Sequence, residues 1–184
     1  MEAKGESVEL ETGKRSEKQK REVTKHGILD AVGSHGKLEG KYLTFGIASE
    51  RYGISILDVR EIIGMIPVRP VPHLPDFMKG VINLRGKVIP IVDLRKRFNL
   101  ELKEHDKNTR IVVVDIGGNI MGMIVDSVSE VLRLPASTIE PPPEIVTGIN
   151  SDYIKGVAKL DDKLLIFLDL SKVIDVNEMS GVGA

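Results

Sequence analysis

From residue 41 onward the apolar positions come in short runs rich in β-branched residues, separated by polar or glycine-bearing breaks. Residues 42–49 and 52–57 flank Ser49-Glu50-Arg51, and residues 81–84 and 88–92 bracket Arg85-Gly86. Residues 110–116 and 120–125 bracket Gly117-Gly118-Asn119, and residues 157–160 and 164–168 bracket Asp161-Asp162. Runs of this length and composition around turn residues predict strands joined in hairpins, and their close spacing points to an all-β barrel or sandwich. Helix is expected only over residues 58–63 and 170–176, one to two turns each. The proline-rich stretches 67–75 and 135–143 are expected to be extended loops, because proline removes backbone donors.

The chain repeats itself. KGVINLRGKVIPIVDLRK at 79–96 aligns with KGVAKLDDKLLIFLDLSK at 155–172, with eight of 18 positions identical, where ordinary residue usage supplies roughly one. A weaker echo lies upstream, where YGISILDVREII (52–63) faces MGMIVDSVSEVL (121–132) and shares Gly53/Gly122, Val59/Val128 and Glu61/Glu130. Two copies of one β-unit of about 70 residues follow, over about 41–109 and 110–177. Asp93 and Asp169, each at a strand end before a short helical segment, fit N-caps better than a pair of catalytic acids. The repeated Gly-Val pairs mark close backbone packing. Hairpin tips at equivalent positions carry opposite charge, Arg85-Gly86 against Asp161-Asp162, which gives the molecule two unlike ends. Pro90 stands where the second copy has Ile166, and proline predicts an edge strand or a bulge there.

Composition narrows the function. The 184 residues hold 26 Lys and Arg against 27 Asp and Glu, a formal net charge of −1. That balance lacks the positive excess of a dedicated nucleic-acid binder, and the few aromatics do not alternate with basic residues. With no cysteine, disulfides, thiol catalysis and cysteine-based metal sites are excluded. No apolar stretch approaches a membrane span and no signal region opens the chain, so a cytoplasmic protein is expected. Residues 1–37 contain 15 charged and no aromatic residues. They are read as a mostly disordered tail, extending to about residue 38; residues 179–184 are read as a flexible C-terminus, and 39–178 as the folded domain.

Catalytic signatures are missing. The four histidines lack metal-ligand spacing, and no phosphate-cradling glycine loop or nucleophile elbow occurs. GGNIMG at 117–122 is a hairpin turn with no helix pattern after it. No cofactor and no enzymatic activity are expected. Arg85, at an exposed tip between apolar strands, reads equally as a binding hot spot or as a solvated turn charge. Glu61 and Glu130, present in both copies, favour a structural role.

The ordered series YLTFGI, YGISILDVREII, GVINLRGKVIPIVDLRKRF and RIVVVDIGGNIMGMIVDSVSEVL resembles the CheW-like family of bacterial chemotaxis coupling proteins, over about residues 40–177. The resemblance implies two SH3-like five-stranded β-barrel subdomains around a shared core. It implies a non-enzymatic adaptor between the cytoplasmic tips of chemoreceptors (methyl-accepting chemotaxis proteins) and the regulatory domain of the CheA histidine kinase, recruited to membrane-bound receptor arrays. The family's coupling positions fall here on Ile56, Val59, Glu61, Gly80 and Arg85, and in the second copy on Val125 and Val128. Unlike ends on a pseudo-twofold molecule suit heterologous contacts that close into rings. A CheA-like module or a coupler in a non-chemotactic chemosensory pathway would share this fold, and an RNA-binding SH3-like barrel is a more distant alternative.

Overall fold

A computed structural model describes residues 40–144 and 149–180. The charged N-terminal segment and residues 181–184 lie outside the described residues. The strands are β1 (Lys41–Ile47), β2 (Glu50–Ser55), β3 (Val59–Gly64), β4 (Met78–Leu84) and β5 (Lys87–Asp93), then β6 (Arg110–Ile116), β7 (Asn119–Val125), β8 (Ser127–Arg133), β9 (Ile154–Leu160) and β10 (Lys163–Leu168). Three short helices follow strands: α1 (Leu94–Arg97), α2 (Leu170–Val173) and α3 (Val176–Ser180).

All four expected hairpins form, with two-residue turns. Arg85 and Gly86 both take positive φ, at 52° and 83°, as do Asp161 and Asp162, at 45° and 64°. This is the backbone that matches the twist of two antiparallel strands. Asn83 Oδ1 accepts the Gly86 N–H at 2.9 Å and fixes the first tip. In the first hairpin the turn is Ala48-Ser49 rather than Ser49 to Arg51, and in the third Asn119 already belongs to β7.

The strands sort into two five-stranded sheets, β8-β1-β2-β10-β9 and β3-β6-β7-β5-β4. These are not the two sequence repeats. Each sheet takes its first hairpin from one unit and the following three strands from the other, so the copies exchange elements like a fused swapped dimer. Each sheet curls until its edges share an apolar cluster. Ile63 of β3 and Ile82 of β4 meet around Ile89, Ile91, Ile111, Val113 and Ile124. Leu132 of β8 and Ala158 of β9 meet around Leu165 and Phe167. β1 and β6 are buried on both faces: Ile111 and Val113 fill the sheet's own cluster, while Val112 and Val114 are buried on the opposite face. β1 lies against β7 where the two sheets meet.

Two expectations are corrected. Residues 58–63 do not form the expected helix: Asp58 ends a 3₁₀ turn, Ile56–Asp58, capped by Ser55 Oγ accepting the Leu57 N–H, which runs directly into β3, and β3 pairs with β6. Pro90 is not on an edge, because β5 lies between β4 and β7. Its ladder to β7 starts only at Ile91, whereas the equivalent β10–β2 ladder includes Ile166, so the proline sits where no donor is required. Helix α3 runs to Ser180, and Asp175 caps it by accepting the Asn177 N–H at 2.8 Å. The second proline-rich stretch also contains a 3₁₀ turn, Ala136–Thr138.

Candidate interaction surface

The repeated Gly-Val pair acts in the backbone. Arg69, in the first proline-rich loop, exchanges two hydrogen bonds with Val81 (2.8 and 2.9 Å), and Glu140, in the second, does the same with Val157. A Cβ on Gly80 would lie 2.0 Å from the Arg69 carbonyl oxygen, and one on Gly156 2.8 Å from that of Glu140. Both loops are thereby strapped across strands that have no neighbour on that side. Asp93 and Asp169 are N-caps, accepting the Arg95 and Ser171 N–H groups at 3.0 and 3.1 Å.

Above this scaffold the structure brings together two of the residues singled out from sequence. Arg85, on the β4–β5 tip, reaches to Glu61 on β3, and its Nη1 and Nη2 donate to Oε1 and Oε2, each at 2.9 Å. The pair spans the two edges of the sheet. Arg85 is 74% exposed and Glu61 28%. The hydrogen bonds and charge of Glu61 hold the guanidinium still more firmly protonated. An exposed ion pair adds little to stability. What the bidentate geometry does is favour one rotamer of a long side chain, lowering the entropy that a partner would otherwise have to remove.

The structure does not bring the remaining sequence candidates into contact with this pair, and Val128 belongs to the other sheet. Ile56, Val59, Gly80 and Val125 are buried, and Val128 is half-buried opposite Phe45 in the β1–β8 ladder. Two exposed apolar side chains beside them, Leu57 (53%) and Val88 (69%), are not among the sequence candidates. Val88 pairs with exposed Asn83 on the outward face of the tip. Alternation along β5 from buried Ile89 signals that orientation; an apolar residue in an apolar run otherwise reads as core.

The second copy is finished differently. Glu130 cannot pair with its own tip, where Asp161 and Asp162 stand, and binds Arg51 instead at 3.3 Å. Two grooves open to solvent nearby. One of about 440 Å³ runs past Val88, Pro90, Ile120 and Met179. The other, of about 490 Å³, lies by Tyr42, Asp58, Lys155 and Asp169. Burial pushes the Asp58 carboxyl up; Lys155 pulls it back, and Asp115 and Asp169 add to the rise. No group of three His, Asp or Glu that could hold a metal occurs among the described residues, and none of their helices is long and apolar enough to cross a membrane.

Two fused β-barrels with charge-reversed tips, one presenting a preordered arginine beside exposed apolar side chains, define an interaction module. Residues 41–178 match the model of the CheW-like domain. The chain is 40% identical over 140 residues to the chemotaxis protein CheW of Klebsiella aerogenes, covering 76% of this chain and 84% of that one. It is 35% identical over 141 residues to the chemotaxis protein CheW of Treponema pallidum, covering 74% and 83%. The crystal structure of the scaffolding protein TtCheW from Thermoanaerobacter tengcongensis superposes with a TM-score of 0.70 at 41% identity, covering 76% of this chain and 94% of that one. The chain therefore belongs to the CheW-like family of chemotaxis adaptors.

Proposed function

We propose that the protein is a non-enzymatic coupler that binds the cytoplasmic tips of chemoreceptors and the regulatory domain of the CheA histidine kinase, working in the cytoplasm at membrane-bound receptor arrays. The observation that carries the reading is the bidentate Arg85–Glu61 pair at an exposed tip. A planar guanidinium held in place, with apolar Val88 alongside, is the composition of an interface hot spot. The reversed charge at the other tip supports a second, different contact, so that one molecule joins two unlike partners or closes into a ring with them. Signal transfer through such a coupler requires that it bind receptor states with unequal affinity.

Arg85→Glu is expected to leave the melting temperature within a few degrees of wild type. It should weaken binding of kinase or receptor fragment by about 2 kcal/mol or more, measured by calorimetric titration. Unchanged affinity for both partners would remove the tip from the coupling surface.

A further inference from the structure

Seven aromatic residues occur in the chain. Tyr42 and Phe167 pair edge-on within one sheet's cluster, with ring centres 4.7 Å apart. The other five form a second, connected group. Phe45 stacks with Tyr52 at 6.0 Å, Tyr52 meets Phe98 at 5.6 Å, and Phe98 meets Tyr153 at 6.0 Å. Phe77 completes the group through a cation: the Arg97 guanidinium lies 4.1 Å from the Phe77 ring centre and 5.2 Å from that of Tyr153.

Arg97 closes α1, just after β5 of one sheet. Its Nε donates to the Val173 carbonyl oxygen at 2.7 Å, at the end of α2 beyond β10 of the other sheet. Its Nη1 donates to Glu178 Oε2 of α3 at 2.9 Å. The side chain is 9% exposed. The repeat gives these contacts their meaning. At the offset of 76 that relates the two copies, Phe77 corresponds to Tyr153, and Arg97 corresponds to Val173. The guanidinium is thus set between two equivalent aromatic rings and bonds its own counterpart, which places it at the pseudo-twofold junction. One side chain joins the segments leading into β4 and β9 and those leaving β5 and β10.

We infer that Arg97 is a positioning residue that locks the angle between the two sheets, so that the Arg85 tip and the Asp161-Asp162 tip are presented at a fixed relative orientation. The two tips belong to different sheets, and their hydrogen-bond ladders do not cross the junction. On one side of the junction Arg95, after β5, donates to Asp126, which accepts the Ala48 N–H and donates its own N–H to the Gly46 carbonyl of β1; elsewhere apolar contact is non-directional. At the other side, a planar cation with two directed hydrogen bonds and two ring faces gives the segments after β5 and β10 the second directed tie that an angle between two bodies needs. A molecule engaging two partners at once depends on that orientation, whereas binding either partner alone does not. This consequence rests on the proposed coupling function; the lock itself does not.

Because the chain has no cysteine, spin labels on Lys87→Cys and Lys163→Cys, at equivalent exposed strand starts beside the two tips, report the orientation without background. Pulsed-dipolar distances in the full chain are expected to be narrow for wild type, clearly broader for Arg97→Met at unchanged strand content, and intermediate for Arg97→Lys, which keeps the charge but not the fork. Glu178→Gln should leave the distances narrow while raising hydrogen exchange in α3. Wild-type distances in Arg97→Met, or in Arg97→Lys should the methionine variant not fold, would overturn the lock. In the coupling assay, Arg97→Met should bind each partner within about twofold of wild type but lose on the order of tenfold or more in three-component assembly. Broadened distances with intact assembly would overturn the positioning role. Failure of the wild-type chain to bind either partner would count against the coupling function instead.

Discussion

Gly80 and Gly86 stand in one hairpin, yet a methyl group at each would meet a different obstacle. At Gly86 there is open space and only the φ of 83° resists a side chain. At Gly80 the Arg69 carbonyl fills the position, and φ is 143°. Gly86→Ala is therefore expected to cost about 1 kcal/mol. Gly80→Ala should cost about 2–4 kcal/mol, because the strap from Arg69 to Val81 must shift or break. Denaturant titration of both variants checks the ranking, and equal losses would contradict the strap. Titration of Asp126 offers a second check at this scale. Burial pushes its carboxyl up, but hydrogen bonds from Arg95 and the Ala48 N–H outweigh that and leave it below the usual range. A depressed carboxylate stabilises the fold above its ordinary pKa of about 4, and that stability is lost as pH falls through the lower folded value. Asp58, pushed up, has the opposite sign: its contribution is present below about pH 4 and fades as pH rises through its raised value. Asp126→Asn should cost about 1–2 kcal/mol at neutral pH, discounted for the partial exposure of the pair. The gap to wild type should close toward pH 3 or so. A gap constant with pH would show that the charge of Asp126 is not what matters.

Among the elements, the hairpins are legible from sequence because their turn residues announce them. Arg85-Gly86 and Asp161-Asp162 sit between apolar runs, and both dipeptides adopt the left-handed pair of φ values that a two-residue hairpin needs. The repeat made the caps legible too, since Asp93 and Asp169 recur before helical segments in both copies. β3 is hidden for a physical reason. Val59, Ile62 and Ile63 have i, i+3, i+4 spacing, which mimics a helix face; pairing with β6 around a bulge between Val59 and Glu61 decides otherwise. β8 has the same disguise, and its bulge opposite Thr44 is satisfied locally. The Thr44 hydroxyl donates to the Glu130 carbonyl at 2.9 Å and accepts the Glu130 N–H at 3.2 Å. The exchange of strands between repeats could not be read, because self-similarity shows which segments are equivalent and says nothing of which ones pair. The Arg85–Glu61 contact depends on that same pairing: both residues stand out in the sequence, but only the curl of the sheet brings β3 to the β4–β5 tip.

At the scale of the whole molecule, the exchange makes the two barrels inseparable. Each requires strands from both halves of the chain, so residues 40–180 should unfold in one transition with equal calorimetric and van't Hoff enthalpies. Two resolved transitions would mean that the sheets are independent. The proposed coupling function also belongs to this scale, because a connector is defined by two contacts made together and by the orientation between them. The near-zero net charge of the whole chain says nothing of the opposition between the two tips, because Arg85 and the Asp161-Asp162 pair are only three of its charged residues. The most direct measurement is co-sedimentation of purified CheA with receptor-bearing membranes, with the chain present, absent or carrying Arg85→Glu. The kinase should pellet with the receptors when wild-type chain is added, and fall by on the order of tenfold or more when the chain is omitted or reversed at Arg85. Equal recovery of kinase in all three conditions would contradict the coupling role.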